Sequence, residues 1–331
     1  MPDRAGDRHV DALLDILRDG EFHSGDVIGE RLGVTRAAVW KQLKRLQEQG
    51  LELDSVKGRG YRLAPGTELL DSAQILSSLK PMPLPIDLDV YASTDSTNQR
   101  LLSRTELGRG NFCLAEHQTA GRGRRGRVWQ SPFGANLYLS AAWDFREGAA
   151  ALEGLSLAVG LAVVHAIGRQ ASTRLQLKWP NDLLWEGRKI AGVLLEISGD
   201  PAGECRVIIG IGINLRLTAR QRSVVDQPCA DLTEAVGTFV SKNRLASALI
   251  EELVQTLVRF ERDGFPAFAD EWAAYDAFRG KEVRVQTAAN QWLVGTCRGV
   301  DHHGALQLST AEGMISYRGG EVSLRGAEND T

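Results

Sequence analysis

Seven consecutive residues, Gly121-Arg122-Gly123-Arg124-Arg125-Gly126-Arg127, put four guanidiniums and three glycines on one short stretch. Such a run cannot fill the interior of a helix or strand and predicts a loop. Glycine lets backbone N–H groups approach an anion closely, and arginine offers a planar fork matched to phosphate or carboxylate. Taken alone, the run reads either as an anion-binding loop or as a patch for nucleic acid. A second cluster, Lys178-Trp179-Pro180-Asn181-Asp182, follows a strand-like run. Its Trp-Pro step predicts extended backbone, and Asn181 and Asp182 offer hard oxygens suited to Mg2+ or a ribose. Lys189 opens an otherwise apolar strand, where it is either a solvated strand end or a cation steadying developing negative charge. Gly210-Ile211-Gly212-Ile213-Asn214-Leu215 is a strand on which a ligand could lie against backbone, or one whose packing demands small residues.

Other chemistries lack their residues. There is no GxxxxGK[ST] phosphate loop, and the six histidines (His9, His23, His117, His165, His302, His303) show no metal-ligand spacing. Ser96 has no GxSxG setting. The four cysteines lie far apart, which argues against disulfides or a zinc site and for a reducing cytoplasm. What remains is chemistry built from Arg, Lys, backbone amides and Mg2+, which suits reactions at a phosphate.

The elements that must hold these groups are legible in outline. Strand-like runs at 86–91, 112–115, 137–142, 174–178, 189–197 and 205–211 alternate with helical stretches at 97–107, 155–170 and 245–260. They predict an α+β or mixed α/β domain. Beyond residue 276, Val283 and Val285, Trp292 and Val294, Leu306 and Leu308, and Ile315 and Tyr317 alternate between glycine-marked turns, as in a small all-β module.

The amino-terminal stretch reads differently. Val10, Leu13, Leu14 and Leu17 make one amphipathic helix. Ser24 predicts the cap of a short helix with Val27 and Ile28 inward, and Thr35 that of a third, with Val39, Leu43 and Leu46 on one face. Gly33-Val34-Thr35 is the tight turn of a helix-turn-helix, and Lys57-Gly58-Arg59-Gly60 turns a basic wing. Arg36, Lys41, Lys44 and Arg45 occupy the polar face of the third helix with no acid before Glu48. Residues 1–30 carry three Arg against eight acids, and residues 31–62 eight Lys/Arg against three. That module predicts DNA binding, with Ser24, Thr35, Arg36, Lys41, Lys44, Arg45, Lys57 and Arg59 at the interface, acting as a dimer on two half-sites. The plainer alternative is a packing module facing an acidic partner.

The whole chain is 331 residues, 43% hydrophobic and 24% charged, with a net charge of −3. These figures exclude disorder as the main state and fit two or three domains. No apolar run approaches the ~20 residues a bilayer needs, and the polar start predicts no signal peptide. Pro65-Gly66 and Pro81-Met82-Pro83-Leu84-Pro85 are helix-free, with a short helix expected between them at 69–79. The expected division is 1–64, 65–275 and 276–331.

Ser96-Thr97-Asn98, Gln118, GRGRRGR at 121–127 with Trp129, KWPND at 178–182, Lys189 and GIGINL at 210–215 resemble the biotin–protein ligases in order and spacing. The helix-turn-helix makes the likeness closest to the bifunctional bacterial type, which also represses biotin biosynthesis genes. The resemblance implies a winged helix-turn-helix, a central mixed α/β catalytic domain related to class II synthetases, and an SH3-like carboxy-terminal barrel. It implies that Ser96, Thr97, Asn98 and Gln118 meet the ureido ring. Arg122, Gly123 and Arg124 would fold over biotin's carboxylate and the nucleotide phosphate, while Trp129, Gly210 and Gly212 line the valeryl chain. Gly121, Arg125, Arg127, Lys178, Trp179, Asn181, Asp182 and Asn214 would face ATP or the adenylate, Asp182 with Mg2+. Lys189, Arg122 and Arg124 would carry the catalytic charge.

The implied reaction forms biotinoyl-5′-AMP from biotin and ATP, then transfers biotin to a lysine of the biotin carboxyl carrier protein of acetyl-CoA carboxylase. The same adenylate would act as corepressor, driving a homodimer onto operator DNA. The loop at 121–127 is expected to be gated, open when empty and closed when full. Two other readings compete: a non-catalytic DNA-binding sensor of a small carboxylic acid, and a lipoate or octanoate ligase. One departure is visible, since residues 215–238 contain no aromatic side chain and any lid over adenine must be aliphatic.

Overall fold

Three short helices, α1 (Arg4–Leu17), α2 (Gly25–Leu32) and α3 (Arg36–Glu48), pack over a hairpin of β1 (Leu53–Val56) and β2 (Gly60–Leu63) in a computed structural model. It describes residues 4–104, 108–199, 203–286, 292–318 and 323–326. The helices begin where side chains can satisfy free backbone donors. Ser24 Oγ accepts from Val27 N and Thr35 Oγ1 from Ala38 N, both at 3.2 Å. Gly33, at φ 66°, ends α2 in the left-handed region that glycine adopts without strain. Leu13, Leu17, Ile28, Val39, Leu43 and Leu46 form the core of this module. Val27 was expected inward but is 41% exposed, because the 3.6-residue period turns only Ile28 toward the core. The wing folds back on α2 through a bridge between His23 and Tyr61.

The central region contains, in order, α4 (Ser72–Ser77), β3 (Asp87–Tyr91), α5 (Thr97–Leu102), β4 (Asn111–Ala115), β5 (Asn136–Phe145), α6 (Leu155–Gly168), β6 (Leu175–Lys178), β7 (Asp182–Trp185), β8 (Arg188–Gly199), β9 (Cys205–Asn214), α7 (Ala219–Ser223), α8 (Leu232–Val236), α9 (Lys242–Asp263) and α10 (Ala269–Tyr275). Among the described residues its strands form one mixed sheet in the order β3-β4-β5-β9-β8-β7-β6, with β3 and β4 parallel and the other pairs antiparallel. Helices α6 and α9 cover one face. α6 is apolar around nearly its whole circumference because it is buried on all sides. α5 touches the opposite face, where Leu101 packs with Cys113, Ala142 and Ile208.

Two expectations need correction here. The helix expected over 97–107 ends at Leu102, and residues 105–107 lie outside the described residues. Asp182 lay outside the strand-like runs but begins β7, paired with both β6 and β8. The turn that allows this is Glu186-Gly187, both with positive φ. A four-residue strand was too short to show a period.

At the carboxy-terminal end, β10 (Glu282–Gln286), β11 (Trp292–Val300), β12 (Leu306–Thr310), β13 (Gly313–Tyr317) and β14 (Ser323–Gly326) form an antiparallel sheet in the order β13-β12-β11-β10-β14. Val283, Val285, Cys297, Leu306, Leu308 and Leu324 point inward and continue the central core. Trp292 and Val294 lie on the outer face, Trp292 under the Arg284 guanidinium. The register pairs Val285 with Leu293, so Leu293 takes the inward position.

The three parts are sewn together by specific contacts. Phe133, from the loop before β5, is buried in the amino-terminal core and its N–H donates to Gln49 O at 2.9 Å. Within the central part, Glu116 and Lys242 form a buried ion pair, and Glu116 also accepts from Leu70 N. Trp179 Nε1 donates to Gly304 O at 3.0 Å, anchoring the 178–182 segment on the carboxy-terminal sheet. Among the described residues no helix is long and apolar enough to cross a membrane.

Candidate functional site

On the face of the sheet away from α6 and α9, strand alternation leaves a hollow. Ile209, Ile211 and Ile213 of β9 point into the core, so Gly210 and Gly212 face the other way and cannot fill the space above them. The resulting cavity of about 500 Å3 is bounded by Ser96, Thr97, Asn98, Gln118, the loop from Arg122 to Trp129, the 178–182 segment, Lys189 and residues 226–228.

One end is a polar network of neutral groups. Ser96 immediately precedes α5, whose first turn holds Thr97 and Asn98. Thr97 N and Oγ1 donate to Gln118 Oε1 at 2.9 and 3.2 Å, and Gln118 Nε2 donates to Ser131 Oγ at 3.1 Å. Ser140, fully buried on β5, lies 2.7 Å from Thr97 Oγ1 and donates to Asn98 Oδ1 at 2.5 Å. Asn98 Nδ2 in turn donates to Glu196 Oε2 at 2.7 Å. A β-carbon on Gly210 would meet Asn98 Oδ1 at 2.3 Å, so only glycine lets that side chain reach the strand.

The other end is cationic. The arginine run folds as a closed loop: Gly123 N donates to Arg127 O at 2.7 Å, and Arg125 and Gly126 take positive φ. Arg122 Nη2 donates to Glu196 Oε2 at 3.0 Å and Arg124 Nη1 to Asn181 Oδ1 at 3.1 Å, while Arg125 and Arg127 stay exposed along the cavity. Asn181 Nδ2 is fixed by Val193 O at 2.7 Å. Among the described residues Arg124 Nη2 is buried without a partner. Burial pushes this guanidinium below its ordinary value, opposed by the nearby Asp182 charge. Lys189 Nζ lies 2.6 Å from Asp182 Oδ1 and 5.2 Å from the centre of the Trp129 ring. The indole lies against Gly212, where an added β-carbon would come within 2.5 Å of it.

Most of the residues singled out from the sequence therefore meet at one cavity. Two do not line it. Gly121 stands behind the loop, where a β-carbon would strike Trp129 O at 2.5 Å. Asn214 is buried behind Lys189, donating to Ala230 O at 3.0 Å and Lys189 O at 3.4 Å. Both hold parts of the wall rather than face its contents. Trp179 borders the cavity, but its one indole donor is used by Gly304.

Ser140, Glu196 and Gly192 were not found from the sequence. Ser140 and Glu196 carry a signal, each being a polar residue inside an apolar strand. Segment 226–228 reaches the cavity because β8 holds it: Lys189 N donates to Pro228 O at 3.0 Å and Ala230 N to Lys189 O at 2.9 Å.

The residues expected at DNA lie apart, on the amino-terminal module. Lys41, Lys44 and Arg45 are exposed on α3 beside Trp40, itself 53% exposed with Lys44 Nζ 5.2 Å from its ring. Arg36 is exposed and pairs with Asp26 at 3.3 Å. Arg59 lies over Phe22 at the wing, and Lys57 is exposed. The hydroxyls of Ser24 and Thr35 serve as helix caps.

Three family models match along the chain. The HTH domain matches residues 9–62, the Biotin/lipoate A/B protein ligase family 90–214, and the Biotin protein ligase C terminal domain 278–325. The chain is similar to the bifunctional ligase/repressor BirA of Escherichia coli (strain K12), 42% identical over 318 residues that cover 96% of this chain and 97% of that protein. It is also similar to the biotin--[acetyl-CoA-carboxylase] ligase of Mycobacterium tuberculosis, 34% identical over 71% of this chain and 88% of that one. Among solved structures, the biotin protein ligase of Aquifex aeolicus in complex with biotin and ATP superposes with a TM-score of 0.64 at 28% identity. It covers 73% of this chain and 99% of that one.

Proposed function

The chain belongs to the family of biotin protein ligases, and on that footing we propose that it is an ATP-dependent biotin–protein ligase and a transcriptional repressor in one molecule. It activates biotin to biotinoyl-5′-AMP and transfers biotin to a lysine of a biotin carrier protein, while its helix-turn-helix binds DNA. The observation that carries the reading is Arg124 Nη2. A cationic donor buried without a partner is costly, and a ligand anion arriving in the cavity removes that cost.

The division of labour follows from the two ends of the cavity. The neutral network of Ser96, Thr97, Asn98 and Gln118 suits the ureido ring, a neutral heterocycle with donors and acceptors of its own. The valeryl chain runs past Trp129, Gly210 and Gly212 toward the cationic end. There Arg122, Arg124 and Lys189 hold biotin's carboxylate against the α-phosphate of ATP. An oxygen of that carboxylate bonds to the α-phosphorus as its bond to pyrophosphate breaks, and the cations stabilise the charge that spreads over the phosphate oxygens. In the second step the neutral ε-amine of a carrier lysine bonds to the acyl carbon, AMP leaves with the electron pair, and the nitrogen releases one proton to solvent as the amide forms. Arg125, Arg127, Lys178, Asn181 and Asp182 face the nucleotide, with Pro228 and its neighbours as the aliphatic cover.

Mg2+ fits as a companion of the nucleotide. Among the described residues no three His, Cys, Asp or Glu cluster to hold a metal, and Mg2+ asks for only one or two carboxylates beside phosphate oxygens and water. Asp182 would be its protein ligand, and the ion would neutralise phosphate charge.

The carrier is that of acetyl-CoA carboxylase, the DNA is the operator of biotin biosynthesis genes, and the adenylate drives homodimerisation. The working units are 1–64, 65–275 and 276–331. The protein acts in the cytoplasm, where its cysteines stay reduced.

The test is ATP–pyrophosphate exchange with Mg2+ and biotin, lipoate or octanoate supplied separately. Exchange with biotin alone is expected. Exchange with lipoate or octanoate instead would reassign the acid, and biotin binding without exchange would leave a sensor.

A further inference from the structure

Glu196 is given no role by the division of labour above, yet two of those roles converge on it. It stands on β8 with its side chain 24% exposed, and its Oε2 accepts from Asn98 Nδ2 at 2.7 Å and from Arg122 Nη2 at 3.0 Å. Asn98 belongs to the neutral end of the cavity and Arg122 to the arginine loop, so a single carboxylate oxygen joins the two. At Asn98 the consequence is orientation. Ser140 Oγ donates to Oδ1 on one side and Glu196 accepts from Nδ2 on the other. A flipped amide would set its oxygen against the carboxylate, so the network admits only one orientation. At the loop the consequence is closure. Arg124 is tied to a neutral acceptor, Asn181, whereas Arg122 is tied to a carboxylate, whose opposite charge adds a Coulombic attraction that an amide oxygen lacks.

We propose that Glu196 is a positioning residue for biotin activation: through Asn98 it sets which end of the amide faces the ligand, and through Arg122 it clasps the arginine loop over the cavity so that the labile mixed anhydride is retained until an acceptor arrives. The proposal rests on the ligase reading, and its test is chosen to separate the two.

The full-length protein is given ATP, Mg2+ and biotin without carrier, and pyrophosphate release is followed. One equivalent appears in a burst, and further release is only as fast as the adenylate escapes. Glu196→Gln keeps an acceptor for Asn98 and nearly the same volume but removes the ionic partner of Arg122. The expected result is a burst within twofold of the wild type and a steady leak about fivefold to tenfold faster, as loss of a part-exposed charge-assisted bond implies. Glu196→Ala also frees the Asn98 amide and is expected to raise the biotin KM by a further factor of roughly ten. In an Arg122→Gln background, Glu196→Gln is expected to add less than twofold, because the clasp is already open.

Leak and KM within twofold of wild type in both Glu196 variants would overturn the proposal. So would effects that multiply with Arg122→Gln, or a smaller burst with an unchanged leak per active site, which marks a purely structural role. Should Glu196→Gln not fold, Glu196→Ala alone must reproduce the leak. Hydrogen exchange of residues 121–127 in the ligand-free protein reads the clasp without any chemistry. Faster exchange in Glu196→Gln is expected even if wild type shows no biotin-dependent burst, a result that would sink the ligase reading but not the clasp. Unchanged exchange overturns the clasp.

Discussion

At Gly212 an added β-carbon would lie 2.5 Å from the Trp129 indole, and at Gly210 2.3 Å from the Asn98 amide. Both approaches are below any real carbon contact, so a single methyl group must displace the side chain that it meets. Gly212→Ala is therefore expected to weaken biotin binding by about tenfold or more, the range that overpacking by one carbon implies. Binding of ATP alone should change by less than twofold, and the melting temperature little. Isothermal titration with each ligand separates these outcomes, and unchanged biotin affinity would remove Trp129 and Gly212 from the pocket. The same reasoning explains why neighbouring glycines in one strand read ambiguously beforehand. Glycine in a strand marks close approach, but only the folded arrangement says what approaches.

Helix α3 does two things at once, since its outer face is basic while Arg45 also acts on His117 of the central domain. Burial first, and the Arg45 charge second, hold the His117 imidazole below its ordinary value. Because the folded state binds this proton more weakly than the unfolded chain, the associated stability is complete above about pH 6.5. It is lost as pH falls through that value toward the folded one. Arg45→Gln is expected to raise the His117 pKa and flatten the acid side of the stability curve, which a titration of the His117 ring proton by NMR would register. The first turn of α9 bears a heavier load. Lys242 is fully buried against Glu116, and Lys242→Met would leave that carboxylate unpaired at a cost of about 3–5 kcal/mol in urea unfolding. Replacing both partners, as Glu116→Gln with Lys242→Met, should recover part of the loss. Equal destabilisation of the single and double variants would show that packing rather than charge governs this junction.

Repressor and enzyme share one chain, so occupancy of the cavity and binding of DNA are expected to be linked. Sedimentation with biotin and ATP should show a dimer, and without them a monomer, at the same protein concentration. A monomer under both conditions would remove ligand-driven pairing from the repressor model. On operator DNA, Lys44→Ala should weaken binding across sequences and lower the salt-dependence slope by about one, the signature of one lost phosphate contact. A change confined to particular bases would instead place Lys44 at base edges. The buried Phe133 is a physical contact between the two parts. It sits in the amino-terminal core, two residues from Ser131, which holds Gln118 at the neutral end of the cavity.

Much of this molecule is written in local pattern. Caps at Ser24 and Thr35, the glycine turn at residue 33, the arginine loop and the Trp-Pro segment are each set by residues close together in the chain, so composition and spacing reveal them. Alternation of isoleucine and glycine along β9 marks a strand that needs small residues, and leaves open whether a ligand or packing demands them. What local pattern does not contain is who stands opposite. Ser140 and Glu196 are ordinary polar residues in apolar strands until the sheet order brings β5 beside β9 and β9 beside β8, which carries them to Asn98. Asn214 and Gly121 share motifs with cavity residues but end behind its wall, because strand alternation and the fold of the loop decide which neighbours face the ligand. Trp292 turned outward for the same reason, since a register set across β10 gives the inward place to Leu293. Hydrogen bonds and packing between distant segments are properties of the assembled sheet, and they settle which of the chemically able residues can act together.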